Sequence, residues 1–433
     1  MNNASWIIGW VVGVVLSWFG LGRRDAGLPQ VERVGVQVAG DEFMEQLKRE
    51  QASLDEQRKA APYRQTRTIR VDPAAGKILG FAPLADGRLA VLSGRADAYG
   101  AATGTVDPDG VRDRLVWMSA EGAEEKAVPL DFTPRGVAVA ADGSLWVVGG
   151  SMVAHFAADG ARLAQMEAPH FDLSPEAREE FADEARAAHA AELESTAKAI
   201  ERQLEMVEEL AGKKEGDPGF QPAEIVELYR NSSDAMKARL ESRRAMSEEQ
   251  VVDEAIERVK QIHRVAVTPE ALFLVTNMES GYGFSVWRCS LDLGERERIV
   301  SDLAGCCGQM DVQAVAGRLV IAENSRHRVR LVGFDGEAET QFGETSRADI
   351  TKGFGGCCNP MNTCAASDGS LLTSESNGLV KRYGFDGTFL GVVGVANVQS
   401  GCKNSSIGMS ADGATLYYLD VHEGCVVVLE RAE

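Results

Sequence analysis

The sequence of 433 residues predicts an all-β fold of the β-propeller type. From about Thr66 onward, short β-rich segments alternate with Asp-Gly pairs, and an Asp-Gly pair between apolar residues is a strong hairpin signal. These turns recur with a period of roughly 40 to 50 residues, which is typical of one four-stranded propeller blade. Cysteines also recur at one equivalent position in three consecutive repeats, which begin at Gly305, Gly356 and Gly401.

The spacing of the turns predicts six blades. Their inner strands are expected to begin near Lys77, Arg135, His263, Met310, Met361 and Ser405. The last blade ends on residues 425–429 and is one strand short. We expect residues 66–71 to supply that strand from the other end of the domain, because closing the ring in this way removes the exposed edges that an open sheet would leave.

Two segments resemble the NHL-repeat family of six-bladed propellers. Residues 321–329 read IAENSRHRV and are followed by GFDG, which is similar to the family's acidic residue, asparagine, Arg-Val and Asp-x-x-Gly. Residues 133–143 are similar to its inner-strand entry. The resemblance covers residues 66–429 apart from an insertion, and it implies an NHL-type β-propeller. NHL propellers bind proteins, RNA or peptides and a few are enzymes, so the resemblance alone does not choose a function.

The net charge excludes one class of partner. The chain carries a formal charge of −20 and has a sequence pI of about 4.9. Such a surface repels phosphates, so we expect no nucleic-acid partner.

Residues 6–21 form an apolar run without a charged side chain. With its flanking residues the run is within the length that spans a bilayer. Three tryptophans suit interfacial anchoring: Trp6, Trp10 and Trp18. We therefore predict an uncleaved, single-pass N-terminal transmembrane helix over residues 1–24. A juxtamembrane stalk should follow over residues 25–63, with a short charged helix near residues 41–59.

The membrane side of the domain is set by conflicting signals. Arg23 and Arg24 follow the apolar run, which by the positive-inside rule favours a cytoplasmic domain. Membrane-tethered propellers are familiar outside the cytoplasm, and we expect the soluble domain on the periplasmic side.

Residues 171–262 predict a coiled-coil-like α-helical hairpin inserted between propeller segments 64–170 and 263–433. Ser174 and Pro175 fit an N-cap and a first helical position. An apolar stripe recurs at spacings of four and three: Leu193, Ala197, Ile200, Leu204 and Val207. Ser247 and Gln250 resemble a capping box that opens a third helical stretch. Two roles stay open for the insertion, a self-contained excursion or a partner-binding arm.

The recurrent cysteines are the first candidate site. They fall on the links that enter blades four, five and six, which converge on one sector of the channel mouth: Cys306, Cys307, Cys357, Cys358 and Cys402. Cys364 lies further along an inner strand and is a possible addition, whereas Cys289 and Cys425 fall on later strands and are expected to be structural.

Three interpretations of these cysteines stay open. Eight cysteines in an oxidising compartment predict disulfides, such as one between adjacent blades. Convergent thiolates could instead hold zinc, copper or an iron–sulfur cluster. A redox-active dithiol is the third.

A second candidate site lies at the inner-strand entries. His263, Asp311 and Asn362 occupy equivalent positions near one channel and could perform acid–base work. Propeller lactonases use acidic and amide ligands in such a channel, but this chain does not reproduce their ligand set. The simpler interpretation is that the three side chains pack between blades.

The function that these features favour is a membrane-anchored scaffold whose cysteine-rich face docks a partner protein. One alternative is a metal- or thiol-dependent redox enzyme at the channel mouth. A second is a channel-site hydrolase or lyase that uses His263, Asp311 and Asn362.

Overall fold

The computed structural model describes residues 41–95, 112–172, 174–217, 219–278, 283–306, 310–346, 349–356, 358–399 and 405–432. The predicted anchor at residues 6–21 lies outside these ranges. Within them, no helix combines the length and the apolar character needed to cross a bilayer.

Twenty-four strands in the described residues form six antiparallel four-stranded units, which we number as blades one to six. Blade one contains β2 Lys77–Pro83, β3 Leu89–Gly94, β4 Arg114–Met118 and β5 Glu124–Pro129. Blade two contains β6 Gly136–Val139, β7 Leu145–Gly149, β8 Met152–Phe156 and β9 Arg162–Glu167. Blade three contains β10 Ile262–Val267, β11 Ala271–Asn277, β12 Phe284–Ser290 and β13 Arg296–Leu303.

The remaining blades follow the same order. Blade four contains β14 Asp311–Val315, β15 Arg318–Glu323, β16 Arg328–Gly333 and β17 Ala338–Phe342. Blade five contains β18 Asn362–Ala365, β19 Leu371–Ser374, β20 Leu379–Tyr383 and β21 Phe389–Val395. Blade six contains β22 Ile407–Met409, β23 Thr415–Asp420, β24 Cys425–Arg431 and, from the start of the domain, β1 Tyr63–Arg70.

Strand β1 closes the ring. It pairs antiparallel with β24, with Thr68 opposite Val427 and Ile69 opposite Val426. Each inner strand contacts the inner strand of the next blade, and β22 of blade six contacts β2 of blade one. The sheet layout is therefore that of a propeller, and the prediction that an N-terminal segment completes the last blade is confirmed.

The blades are held together by apolar layers between neighbouring sheets. Ile69 on β1 packs with Phe81 of blade one and Val428 of blade six in one buried cluster. The second strands are buried along nearly their whole length, because each is covered on both faces, whereas outer strands such as β5 are largely exposed and polar. The hydrophobic run in a second strand therefore reflects its central place in the stack.

The two faces of the ring differ in construction. The seven Asp-Gly pairs within the described residues lie in hairpins between the first and second or the third and fourth strands of a blade, which places them on one face. We call this the turn face. In each pair the aspartate side chain accepts the N–H of the second residue after it, and the glycine has a positive φ. These turns close on themselves through local bonds.

The opposite face, which we call the link face, carries every connection from an outer strand to the next inner strand. These links are longer than the hairpins of the turn face. The link between β9 and β10 contains the helical insertion, and the links before β14 and β18 contain the cysteine doublets.

The insertion forms a compact unit of its own over residues 172–259. It contains α2 Pro175–Gly212, α3 Ala223–Arg244 and α4 Glu248–Lys260, while α1 Asp41–Ala60 belongs to the propeller unit and contacts β21. Helix α2 packs against α3. Arg243 on α3 pairs with Glu192 on α2 at 2.9 Å and with Glu254 on α4 at 2.6 Å, which ties the three helices together.

The predicted helix caps of the insertion are present. The Ala177 N–H donates to the Ser174 hydroxyl at 3.2 Å. The Ser247 N–H donates to the Gln250 side chain at 2.9 Å, and the Gln250 N–H donates back to the Ser247 hydroxyl at 3.2 Å. This reciprocal pair is a complete capping box.

Candidate functional site on the link face

Two of the recurrent cysteines meet between blades four and five. Cys306 lies on the link that enters blade four and Cys358 on the link that enters blade five, and their Sγ atoms are 2.8 Å apart. Cys358 is 2% exposed, whereas Cys306 is partly exposed. Cys307, Cys357 and Cys402 lie outside the described residues. The contact joins the first member of one doublet to the second member of the other.

The separation of the two sulfurs distinguishes between two chemistries. A disulfide bond is about 2.05 Å long. Two thiolates that share one tetrahedral zinc, each about 2.3 Å from the ion, would be about 3.8 Å apart. The observed 2.8 Å lies nearer to the bond, so this pair is better placed to join directly than to hold one ion between its sulfurs. No disulfide joins any two of the five cysteines that the structure describes.

A metal centre would need further ligands. Among the described residues, no group of three or more histidine, cysteine or acidic side chains is arranged to hold an ion. Three of the predicted ligands are outside the described ranges, so zinc, copper and iron–sulfur binding stay predictions. Cys364 lies on β18, where burial, together with the neighbouring Asp311 carboxylate, raises the pKa of its thiol. This thiol is therefore protonated at neutral pH.

A buried carboxylate holds each of the two cysteine links. Glu323, at the end of β15, is fully buried, and its Oε1 accepts the Ala304 N–H at 2.9 Å. Glu375, directly after β19, is 2% exposed, and its Oε2 accepts the Gly355 N–H at 3.3 Å. Ala304 and Gly355 occupy the same place in the two repeats, immediately before the glycine that precedes each cysteine doublet.

Each of these carboxylates has its own cation. Glu323 forms an ion pair with Arg326 at 2.7 Å and a second with Arg328. Lys381 is fully buried and pairs with Glu375 at 2.5 Å, and it also donates to the Gly353 carbonyl at 2.6 Å. Burial raises the pKa of Glu375, and Lys381 opposes that rise. Removing one partner from such a buried pair would leave an uncompensated charge.

Amide side chains add a second set of bonds to the links. The Cys306 N–H donates to Asn324 Oδ1 at 2.8 Å. Asn359 donates to the Gly355 carbonyl at 2.6 Å, and its Oδ1 accepts the Ser376 N–H at 2.8 Å. The backbone on both sides of the sulfur contact is thereby fixed to the ends of β15 and β19.

The structure places His263, a predicted catalytic residue, in a bond between blades. Its Nδ1 accepts from the Arg135 guanidinium at 3.2 Å, and its Nε2 lies 3.1 Å from Asn277 Oδ1. Because the guanidinium can only donate, the imidazole carries its proton on Nε2. The side chain is 2% exposed, and both ring nitrogens are occupied.

Asp311 and Asn362 also join neighbouring blades. Asp311 Oδ2 accepts the Thr363 N–H at 2.9 Å and the Thr363 hydroxyl at 3.1 Å, while Arg264 Nε lies 3.9 Å from Oδ1. Asn362 Oδ1 accepts the Ile407 N–H at 3.0 Å. The first residue of one inner strand thus caps a backbone N–H of the next, from blade four to five and from five to six.

Another carboxylate on the link face was not predicted from the sequence. Asp113, at the start of β4, is 3% exposed and accepts a hydrogen bond from the Thr133 hydroxyl at 3.3 Å. Burial raises the pKa of Asp113 to about 6. A lone aspartate before a strand gives no sequence signal of this kind, because its burial depends on the link that enters blade two.

No family model and no curated protein matches this sequence. Solved structures similar to this chain include the β-propeller domain of Cps50 (Swd1) from Myceliophteria thermophila, at 10% identity and TM-score 0.42, covering 86% of this chain and 100% of that one. A protein of unknown function from Bacteroides thetaiotaomicron gives 11% identity and TM-score 0.46, with coverages of 84% and 73%. Regucalcin from Agrobacterium tumefaciens gives 11% and 0.41, with coverages of 83% and 95%. At these identities and TM-scores the likeness says nothing of function.

Replacing Asp311 tests whether this carboxylate is a structural link. Asp311→Ala should lower the free energy of unfolding by about 3 kcal/mol, because Thr363 loses its acceptor and the buried Arg264 loses its counter-charge. Asp311→Asn keeps a side-chain oxygen that can accept from Thr363, so its free energy of unfolding should fall by less. Chemical denaturation of both variants measures this. An Asp311→Ala protein as stable as the wild type would contradict the role, and would return the carboxylate to the list of catalytic candidates.

The raised pKa of Asp113 predicts a pH dependence of stability. Below the ordinary aspartate pKa of 3.8 both the folded and the unfolded states are protonated, and as pH rises through about 6 the folded state must bear a buried charge. This group therefore removes stability as pH rises from 4 to 7. Asp113→Asn should be more stable than the wild type by about 1–2 kcal/mol at pH 7.5, allowing for solvent screening, and by far less at pH 4.5. Denaturant titrations at the two pH values measure the difference, and an advantage that is equal at both would contradict the assignment.

Proposed function

We propose that this chain is a membrane-anchored β-propeller of the NHL type that acts as a protein-binding scaffold and docks its partner on the link face. The asymmetry of the ring carries this proposal. Seven described hairpins of the turn face are closed by their own aspartates, whereas the connections of the link face are the long links between blades, one of which contains the helical insertion and two of which contain the cysteine doublets. Binding residues in proteins concentrate on connections held by a rigid scaffold.

The arrangement of the channel residues favours binding over hydrolysis. His263, Asp311 and Asn362 are each at most 2% exposed and each use their polar atoms in bonds between or within blades. A general base must reach the proton that it abstracts, and these groups are already engaged. A hydrolase or lyase that uses them is therefore the least supported of the three functions.

A thiol-dependent redox enzyme is the second candidate, and the Cys306–Cys358 contact is the observation that favours it. Two sulfurs 2.8 Å apart, one of them partly exposed, are the arrangement that a dithiol reaction needs. This function predicts turnover of an external disulfide, which a scaffold would not show. A metal-dependent version would recruit Cys307, Cys357 and Cys402 as additional ligands.

The anchor and its orientation are part of the proposal. Residues 6–21 would hold the chain in the membrane, and α1 leads from there into β1. The domain would lie on the periplasmic side, where thiols meet oxidants.

Site-specific photo-crosslinking in the native membrane tests which face binds. A photoreactive side chain at Ser325 or Lys352, both exposed on the link face, should give an adduct of one defined size. The matched positions Ala85 and Ala411, exposed on the turn face, should give none. Adducts of that size from both faces, or from neither, would contradict the proposal.

Fractionation of the same membranes tests whether residues 6–21 anchor the chain. The full chain should sediment with the membranes and resist alkaline carbonate, and a variant lacking residues 6–21 should remain in the supernatant. If the shortened chain sedimented equally, the anchor would be excluded.

A further inference from the structure

We propose that Cys306 and Cys358 form a redox-modification site, at which an external disulfide oxidises the two thiols to one disulfide between blades four and five. The external disulfide belongs to the class of small-molecule or protein dithiol oxidants, with oxidised glutathione as its simplest member. The reaction involves this pair alone, and it does not depend on whether the link face binds a partner.

The exposure of the two sulfurs assigns their roles. Cys306 is partly exposed, so an external disulfide can reach its Sγ. Cys358 is 2% exposed and reaches only what is already bound beside it, and its Sγ is 2.8 Å from that of Cys306. Cys306 is therefore the attacking residue, and Cys358 is the resolving residue.

The reaction is two successive thiol–disulfide exchanges. The Cys306 thiolate attacks one sulfur of the external disulfide, the external S–S bond breaks, and one external thiol leaves with the proton that Cys306 lost. The Cys358 thiolate then attacks the Cys306 sulfur of this mixed disulfide. The second external thiol leaves with the proton from Cys358. One protein disulfide has formed, and one external disulfide has been reduced to two thiols.

Glu323 and Glu375 are positioning residues for this exchange. Each accepts a backbone N–H two or three residues before its cysteine, from Ala304 at 2.9 Å and from Gly355 at 3.3 Å. Both carboxylates are buried and ion-paired, so neither link can shift without breaking a charge-assisted bond. Holding two thiols in this way raises their effective concentration toward each other.

The adjacent inner strands are already joined on the same side. Asp311 at the start of β14 accepts from Thr363 on β18, and these two strands begin where the two cysteine links end. The disulfide would therefore add a covalent bond to an existing contact between blades four and five, rather than draw distant elements together.

The test is the product that each variant forms with oxidised glutathione, mapped by peptide mass spectrometry of the full chain in detergent. The wild type should form a Cys306–Cys358 disulfide and retain no glutathione on either residue. Cys358→Ser should stop at a glutathione adduct on Cys306. Cys306→Ser should leave Cys358 unmodified, because its sulfur is buried.

Three results would overturn the assignment. One is a wild-type product that joins Cys306 or Cys358 to a different cysteine. Another is glutathione retained on the wild-type pair. The third is a Cys306→Ser protein in which Cys358 reacts as fast as Cys306 does in the Cys358→Ser protein, which would show that the sulfurs do not differ in access.

The positioning role of the two glutamates can be measured through the equilibrium constant for disulfide formation, which a loss of overall stability alone would not change. In glutathione buffers, Glu323→Gln should lower the equilibrium constant for the Cys306–Cys358 disulfide by roughly tenfold, as loss of a charge-assisted hydrogen bond predicts. Glu375→Gln should lower the constant as well, and it provides the test if Glu323→Gln fails to fold. Glu337→Gln, on an exposed turn of the same blade, is the matched control and should leave the constant unchanged. Equal constants in all four proteins would remove the role from both carboxylates.

Discussion

Antiparallel pairing of β1 with β24 is the constraint on which the rest of this structure depends. The strand that completes blade six lies at the opposite end of the domain sequence from its partner, so the pair joins the first blade to the last. The pairing gives blade six its fourth strand, and β22 meets β2 across the seam. The links of blades four to six then have fixed neighbours. The contact between Cys306 and Cys358 joins two such neighbouring links.

On the link face, hydrogen bonds from side chains to the backbone hold neighbouring blades and their links in place. Asp311 and Asn362 accept N–H groups at the start of the next inner strand, and Glu323 and Glu375 hold the two cysteine links. On the turn face, by contrast, the seven described Asp-Gly hairpins are each closed by a bond to their own aspartate. The links on this face are long, but buried charged side chains at the strand ends bind their backbone. Such links can present binding or reactive groups in a fixed place. This is the physical basis of both the proposed scaffold and the proposed redox site.

The sequence predicts most of the ring and only part of the site, for a physical reason. Asp-Gly turns and helix caps are local, since the aspartate and Ser174 bond within three residues of themselves. Closure by residues 66–71 follows from counting strands. The sulfur contact depends on where two blades place their links, so the sequence indicates the sector but not which doublet members meet. We did not predict Glu375 from the sequence, although it occupies the same place in its repeat as Glu323. The asparagine after Glu323 belongs to the recognised pattern, whereas Ser376 follows Glu375.

Hydrogen exchange at β1 tests the closure of the ring most directly. Alternate amides along β1 face β24, and Ile69 is buried in the cluster between blades six and one. We predict that the amides of residues 63–70 that face β24 exchange as slowly as those of β24, through opening of the whole propeller, while the remaining amides of β1 exchange faster. Fast exchange of these β24-facing amides, with β24 still protected on its β23 side, would contradict it. Blade six would then be an open three-stranded sheet, and the fixed links of the neighbouring blades would need another explanation.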